Sequence, residues 1–194
     1  MAIGEVGLDF FHIKDLPDKD TEIIKQKKTF LQQLSLAVVV GKPLVVHCRD
    51  AYKELADILT DVDPNFKGAE HLRKLQADGS PGTLHCFTGT WEEAKRFVDL
   101  GFCVGFTGII TFPARKSNPD AQAKLLEAVK NVPLSQLLVE TDAPYLAGGI
   151  HRGKRAEPWM GETVLEKMSV LRGQSIEILA KATEENAKKL FRIV

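Results

Sequence analysis

Five short apolar runs alternate with stretches of helical periodicity along this chain of 194 residues, and that alternation constrains its fold more than any other feature. The runs are Ala2 to Val6, Leu44 to His47, Thr83 to Cys86, Phe102 to Phe106 and Gln136 to Glu140. Strands joined through helices pair in parallel, with right-handed crossovers. The order β, α, β, α, β, α, β, α, β, then closing helices, leaves a barrel or a doubly wound sheet. Helices are expected over Thr21 to Val40, where Ile24, Phe30, Leu31, Leu34 and Val38 recur at near-helical spacing and Gly41 is a natural cap. Others are expected over Tyr52 to Leu59 with Asp50 as cap, Trp91 to Leu100, Ala121 to Lys130, Gly161 to Leu171 and Ser175 to Leu190. The polar stretch Asp61 to Pro81 has room for a short helix, Ala69 to Ala77, and Asp142 to Pro158 reads as loop.

Four potential metal ligands stand at the ends of these runs: Glu5, His47, His85 and Asp142. Strand carboxyl ends converge on one face of an α/β protein, where chemistry is expected. One carboxylate, two imidazoles and a second carboxylate suit a hydrolytic divalent-metal site. Taken singly, each position is weak. Glu5 is equally an exposed strand-end acid, and a lone strand-end histidine is more often a packing residue. Asp142 is equally an N-cap, a ligand or the base that activates water. Arg49 fits an anionic substrate or a surface ion pair. His151-Arg152-Gly153-Lys154-Arg155 is a basic cluster on the loop after the fifth run, placed to contact phosphate. Trp91 and Trp159 are candidates for base stacking, with packing favoured for Trp91. Phe87, Phe102 and Phe106 look like core, whereas His12 and His71 fall outside the strand-end pattern.

Lysine plus arginine and aspartate plus glutamate both number 26, so no global charge draws the chain to nucleic acid, although local patches remain. No apolar stretch reaches membrane-spanning length and no signal-peptide pattern opens the sequence, so a cytoplasmic protein without membrane contacts is expected. The 3 cysteines form no CxxC pair and read as small buried hydrophobes in a reducing compartment. No GxGxxG follows a strand and no GxxxxGK[ST] occurs, which counts against nucleotide-binding versions of the fold.

The segments GEVGLDFF, KPLVVHCRDA, LHCFTGTWEEA, VGFTGIITF, VETDAPYL and RAEP each resemble a signature of the TatD family of metal-dependent deoxyribonucleases, in the family's order. The resemblance runs to the closing ATEENAKKLF. It implies a TIM-type (β/α) barrel that hydrolyses phosphodiester bonds with two divalent metals, typically at DNA 3′ ends. It makes Glu5 the metal-bridging carboxylate, has His47 and His85 complete one site, and assigns Asp142 to the other as ligand and water-orienting acid. Arg49, His151, Arg152 and Arg155 would then hold the phosphates of DNA, the expected partner. Magnesium or manganese suits the carboxylates, and the imidazoles also permit zinc.

The chain departs from the family in lacking a His-x-His strand. The expectation is therefore a single domain over 1–194 whose barrel is incomplete, with the first two βα units absent. Its first strand would expose a long apolar edge open to self-association. Ala156 stands where the family usually has Asn, weakening a loop contact to substrate, and 61–81 looks like an insertion. Two alternatives stay open: a metal-dependent amide or ester hydrolase on the same scaffold, and a catalytically impaired fragment that binds one metal or nucleic acid without turnover.

Overall fold

The apolar runs become five parallel strands, β1 (Ile3–Asp9), β2 (Leu44–Arg49), β3 (Gly82–Leu84), β4 (Cys103–Phe106) and β5 (Leu137–Val139), in a computed structural model that describes residues 1–77 and 79–193. They form one sheet in the order β1-β2-β3-β4-β5. A doubly wound sheet reverses its strand order at a switch point, so this unbroken order selects the winding of a (β/α) barrel. The helices are α1 (Lys19–Val40), α2 (Tyr52–Leu59), α3 (Ala69–Ala77), α4 (Trp91–Asp99), α5 (Pro119–Asn131), α6 (Gly161–Arg172) and α7 (Ile176–Phe191).

Strand bounds differ from expectation where one face is polar. β1 continues to Asp9, because Leu8 pairs with Cys48 and Asp9 with Arg49 beyond the point where the apolar run stops. β2 likewise continues through His47 to Arg49, alternating buried Leu44, Val46 and Cys48 with half-buried Val45, His47 and Arg49. β3 is shorter, and Cys86 takes a left-handed φ of 46° as the chain turns toward α4. Gly41 caps α1 in the left-handed conformation. Asp50 does not cap α2; Ala51 holds that position with no side-chain cap bond. At α4, Thr90 accepts from the Glu93 amide and Glu93 accepts from the Thr90 amide, a reciprocal capping box.

The main core lies between the sheet and its helices. Phe30, Phe87, Phe97, Phe102 and Phe106 are fully buried in it with Leu8, Leu44 and Val46, and burying each such ring stabilises the fold by about 1.5–3 kcal/mol. Trp91 packs against this cluster from its margin. All three cysteines are free thiols, Cys48 and Cys103 buried and Cys86 half-buried.

The two sheet edges differ. At β5, Asn186 of α7 donates to the carbonyls of Leu134 and Leu137 (2.7 and 2.9 Å). Among the described residues β1 pairs only with β2. The long apolar edge expected there is not observed: its exposed residues are Gly4 and Glu5, with Ile3 and Val6 partly buried. A cleft of about 590 Å³ lies between this edge and Thr29, Phe30 and Gln33 of α1. No described helix is long and apolar enough to cross a membrane.

α2 and α4 are joined by Asp57, which accepts from Lys53 (2.5 Å) and Arg96 (2.7 Å). Burial alone would raise its carboxyl, but the hydrogen bonds from Lys53 and Arg96 outweigh that and hold it below the usual range. A lowered folded pKa gives stability that is present above the unfolded carboxylate value and lost as pH falls through the folded one. Asp57→Asn is therefore expected to cost about 1–3 kcal/mol in urea unfolding at pH 7, with the gap from wild type closing as pH falls below the ordinary carboxylate range.

Candidate metal centre

Residue alternation sets up the site. On β1, Glu5, Gly7 and Asp9 share one face; on β2, Val45, His47 and Arg49 share the corresponding one, opposite the buried Leu44, Val46 and Cys48. Gly7 pairs with His47 in register, so the imidazole stands between the two carboxylates of the neighbouring strand. His47 Nδ1 lies 3.0 Å from Glu5 Oε1 and its Nε2 lies 3.3 Å from Asp9 Oδ2. Asp9 also accepts from the Phe11 amide at 2.9 Å, fixing the turn out of β1.

The opposite end of the sheet repeats the arrangement. His85 Nδ1 is 3.0 Å from Glu140 Oε2 and its Nε2 is 3.4 Å from Asp142 Oδ1. Glu140 also accepts from the Cys86 amide. It stands over Gly105 of β4, where a Cβ would come within 2.5 Å of the Glu140 carboxyl carbon, so only glycine leaves it room. The Glu140 hydrogen bond, acting against burial, raises the His85 pKa to about 9, with further charge contributions from Glu140 and Glu5.

All four expected ligands therefore lie at the carboxyl end of the sheet, as two carboxylate–imidazole–carboxylate groups. Among the described residues, no three or more His, Cys, Asp or Glu side chains converge in a metal-holding arrangement; the carboxylates close on the imidazoles pairwise. By donor chemistry the set fits a divalent cation, because two imidazoles and four carboxylates match borderline and hard metals. A metal-bound histidine commonly passes its other ring nitrogen to a carboxylate, and both histidines here have a carboxylate at each nitrogen.

Asp9 and Glu140 were not among the expected site residues. Asp9 lay beyond the expected end of the first strand, although it keeps the period of two set by Glu5. Glu140 is the last residue of the fifth apolar run, where its sequence context marks only a strand end. Arg49 makes a cation–π contact rather than the surface ion pair: its guanidinium carbon lies 3.6 Å from the Phe11 ring centroid. His151 packs edge-to-face on Trp159, Arg152 lies over Phe112, and Arg152, Lys154 and Arg155 are exposed. Ala156 is buried with Ala147 and Met160, and its amide donates to Pro144 at 3.0 Å, so the backbone ties this loop to the segment carrying Asp142.

The fold and this polar strand end define a class that the sequence comparisons make explicit. The family model described as TatD related DNase matches residues 1–192, and the chain belongs to that family. It is 36% identical over 193 residues to the uncharacterized metal-dependent hydrolase YcfH of Escherichia coli strain K12, covering 100% of this chain and 63% of that protein. It is 33% identical over 199 residues to the 3′-5′ ssDNA/RNA exonuclease TatD of Pantoea ananatis strain LMG 20103, covering 100% of this chain and 66% of that one. The crystal structure of YjjV, a TatD homolog from Escherichia coli K12, superposes with a TM-score of 0.76 at 29% identity, over 100% of this chain and 64% of that one. The chain thus spans a little under two thirds of these relatives' length.

In the metal-free protein, Glu140→Gln is expected to drop the His85 titration from about 9 toward or below the ordinary 6.5. Imidazole proton NMR reads this directly, and an unmoved titration would show that Glu140 does not govern His85.

Proposed function

We propose that this chain carries the catalytic strand ends of a divalent-metal-dependent phosphodiesterase acting on DNA from its 3′ end. The observation that supports it most is the pairing of His47 with Glu5 and of His85 with Asp142 at the carboxyl ends of parallel strands. Relatives called metal-dependent hydrolase and 3′-5′ ssDNA/RNA exonuclease agree with this reading.

Glu5, His47, His85 and Asp142 would hold the metal. When bound, the cation supplies Lewis-acid charge for phosphoryl transfer, with magnesium or manganese suited to the carboxylates. The chain's own groups do the rest. Asp9 and Glu140 orient the two imidazoles. Asp142 is over a third exposed and engages His85 through Oδ1, which leaves Oδ2 to take a proton from an attacking water. Exposed Arg152, Lys154 and Arg155 have no ion-pair partner among the described residues and supply positive charge for phosphates; His151 stands beside them. Arg49, stacked on Phe11, keeps guanidinium N–H groups for a further phosphate.

Hydrolysis of a DNA oligonucleotide with added Mg²⁺ or Mn²⁺ tests this. Glu5→Ala and His85→Ala are each expected to lower the rate by about 100-fold or more, at or beyond the upper end of what outer-shell partners cost, and chelation should abolish it. Equal rates in wild type and both variants would overturn the assignment.

A further inference from the structure

The basic loop borders an apolar face that phosphate binding does not use. Ile150 is 87% exposed, Tyr145 69% and Trp159 56%. Trp159 is nonetheless held in place: its indole N–H donates to Glu157 Oε2 at 2.8 Å, and the His151 ring meets it edge-to-face with centroids 5.0 Å apart. A cleft of about 490 Å³ opens beside it, lined by Ile150, His151, Trp159, Thr163, Lys167 and Val170.

This face lies at the same end of the sheet as the candidate metal centre. Gly149 N donates to Thr111 Oγ1 (2.8 Å), pinning the loop to the turn after β4. Ala156 N donates to Pro144, two residues from Asp142. Gly161, two residues after Trp159, lies against Val139 and Thr141 at the end of β5. Charge is divided across the face. Arg152, Lys154 and Arg155 stand on the loop side, with the Arg152 guanidinium 4.8 Å from the Phe112 ring centroid. Glu162 and Glu166 border the cleft on the helix side, and Glu157 is engaged by Trp159.

A fixed aromatic ring beside unneutralised cations is the pairing that binds a flexible strand: the cations take the phosphates and the ring takes a base, since every base has a π face. A duplex hides those faces. We propose that Trp159, braced by His151, is a stacking site for an unpaired base of single-stranded nucleic acid whose phosphates lie along Arg152 and Arg155. This rests on the phosphodiesterase reading and adds to it a base contact at Trp159.

The test is metal-free binding to the full chain in a Trp91→Phe background, so that Trp159 alone fluoresces. The probes are a single-stranded oligonucleotide, the duplex of equal length and a single strand with abasic positions. The single strand is expected to quench Trp159 fluorescence, and Trp159→Ala to weaken its binding about 5- to 100-fold, with Trp159→Phe retaining most of the affinity. Duplex and abasic strands should bind wild type and Trp159→Ala alike. Equal single-strand affinity in wild type and Trp159→Ala, or abasic binding as tight as that of the intact strand, overturns the proposal. If metal-dependent cleavage is lost in His85→Ala while Trp159→Ala changes nothing, stacking alone fails. If no oligonucleotide binds or is cleaved, both readings fail.

Discussion

A parallel ladder delivers the carboxyl end of every strand to the same side, and each polar group of the site depends on that geometry. His47 meets Glu5 and Asp9 because β1 and β2 run together in register with Gly7 opposite the imidazole. His85 leaves β3 just where Glu140 and Asp142 leave β5. β4 lies between them and contributes a glycine, Gly105, whose missing side chain is the space occupied by the Glu140 carboxylate. The same sequential order excludes a switch-point crevice as the location of the site.

The carboxylate–imidazole pairs act more through position than through stability. Glu5, His47 and Asp142 are each over a third exposed, and pairs of that kind contribute about 0–1 kcal/mol. What holds the scaffold is the phenylalanine-rich layer between sheet and helices, together with caps such as the Thr90–Glu93 box. The divided labour leaves the strand ends free to carry charge. His85 holds its proton to about pH 9 beside Glu140, so a cation binding there must displace that proton, and affinity should rise with pH.

The architecture was legible because burial on the helix side of the sheet writes apolar runs, and helix faces write their own period. α2 and α3 fall on the expected residues, and Phe87, Phe102 and Phe106 are fully buried as expected. The ends of β1 and β2 were not legible, because their other face is polar and Gly7 interrupts the run. That hid Asp9, although its spacing from Glu5 keeps the strand period. Glu140 was hidden for a different reason: its role depends on Gly105 and the Cys86 amide, contacts between strands that no linear spacing reports. Asp50 looked like a cap by type, but Ala51 occupies the N-cap position. The loop of His151 to Arg155 was legible as charge, while the fixing of Trp159 by Glu157 and His151 appears only in three dimensions.

We propose above that these strand ends form a metal centre. Anomalous scattering from crystals of the protein soaked in Mn²⁺ tests it most directly. A peak is expected within bonding distance of a His47 or His85 ring nitrogen and of at least one of Glu5 and Asp142. A fully occupied peak elsewhere on the surface, or no peak at saturating Mn²⁺, would contradict it.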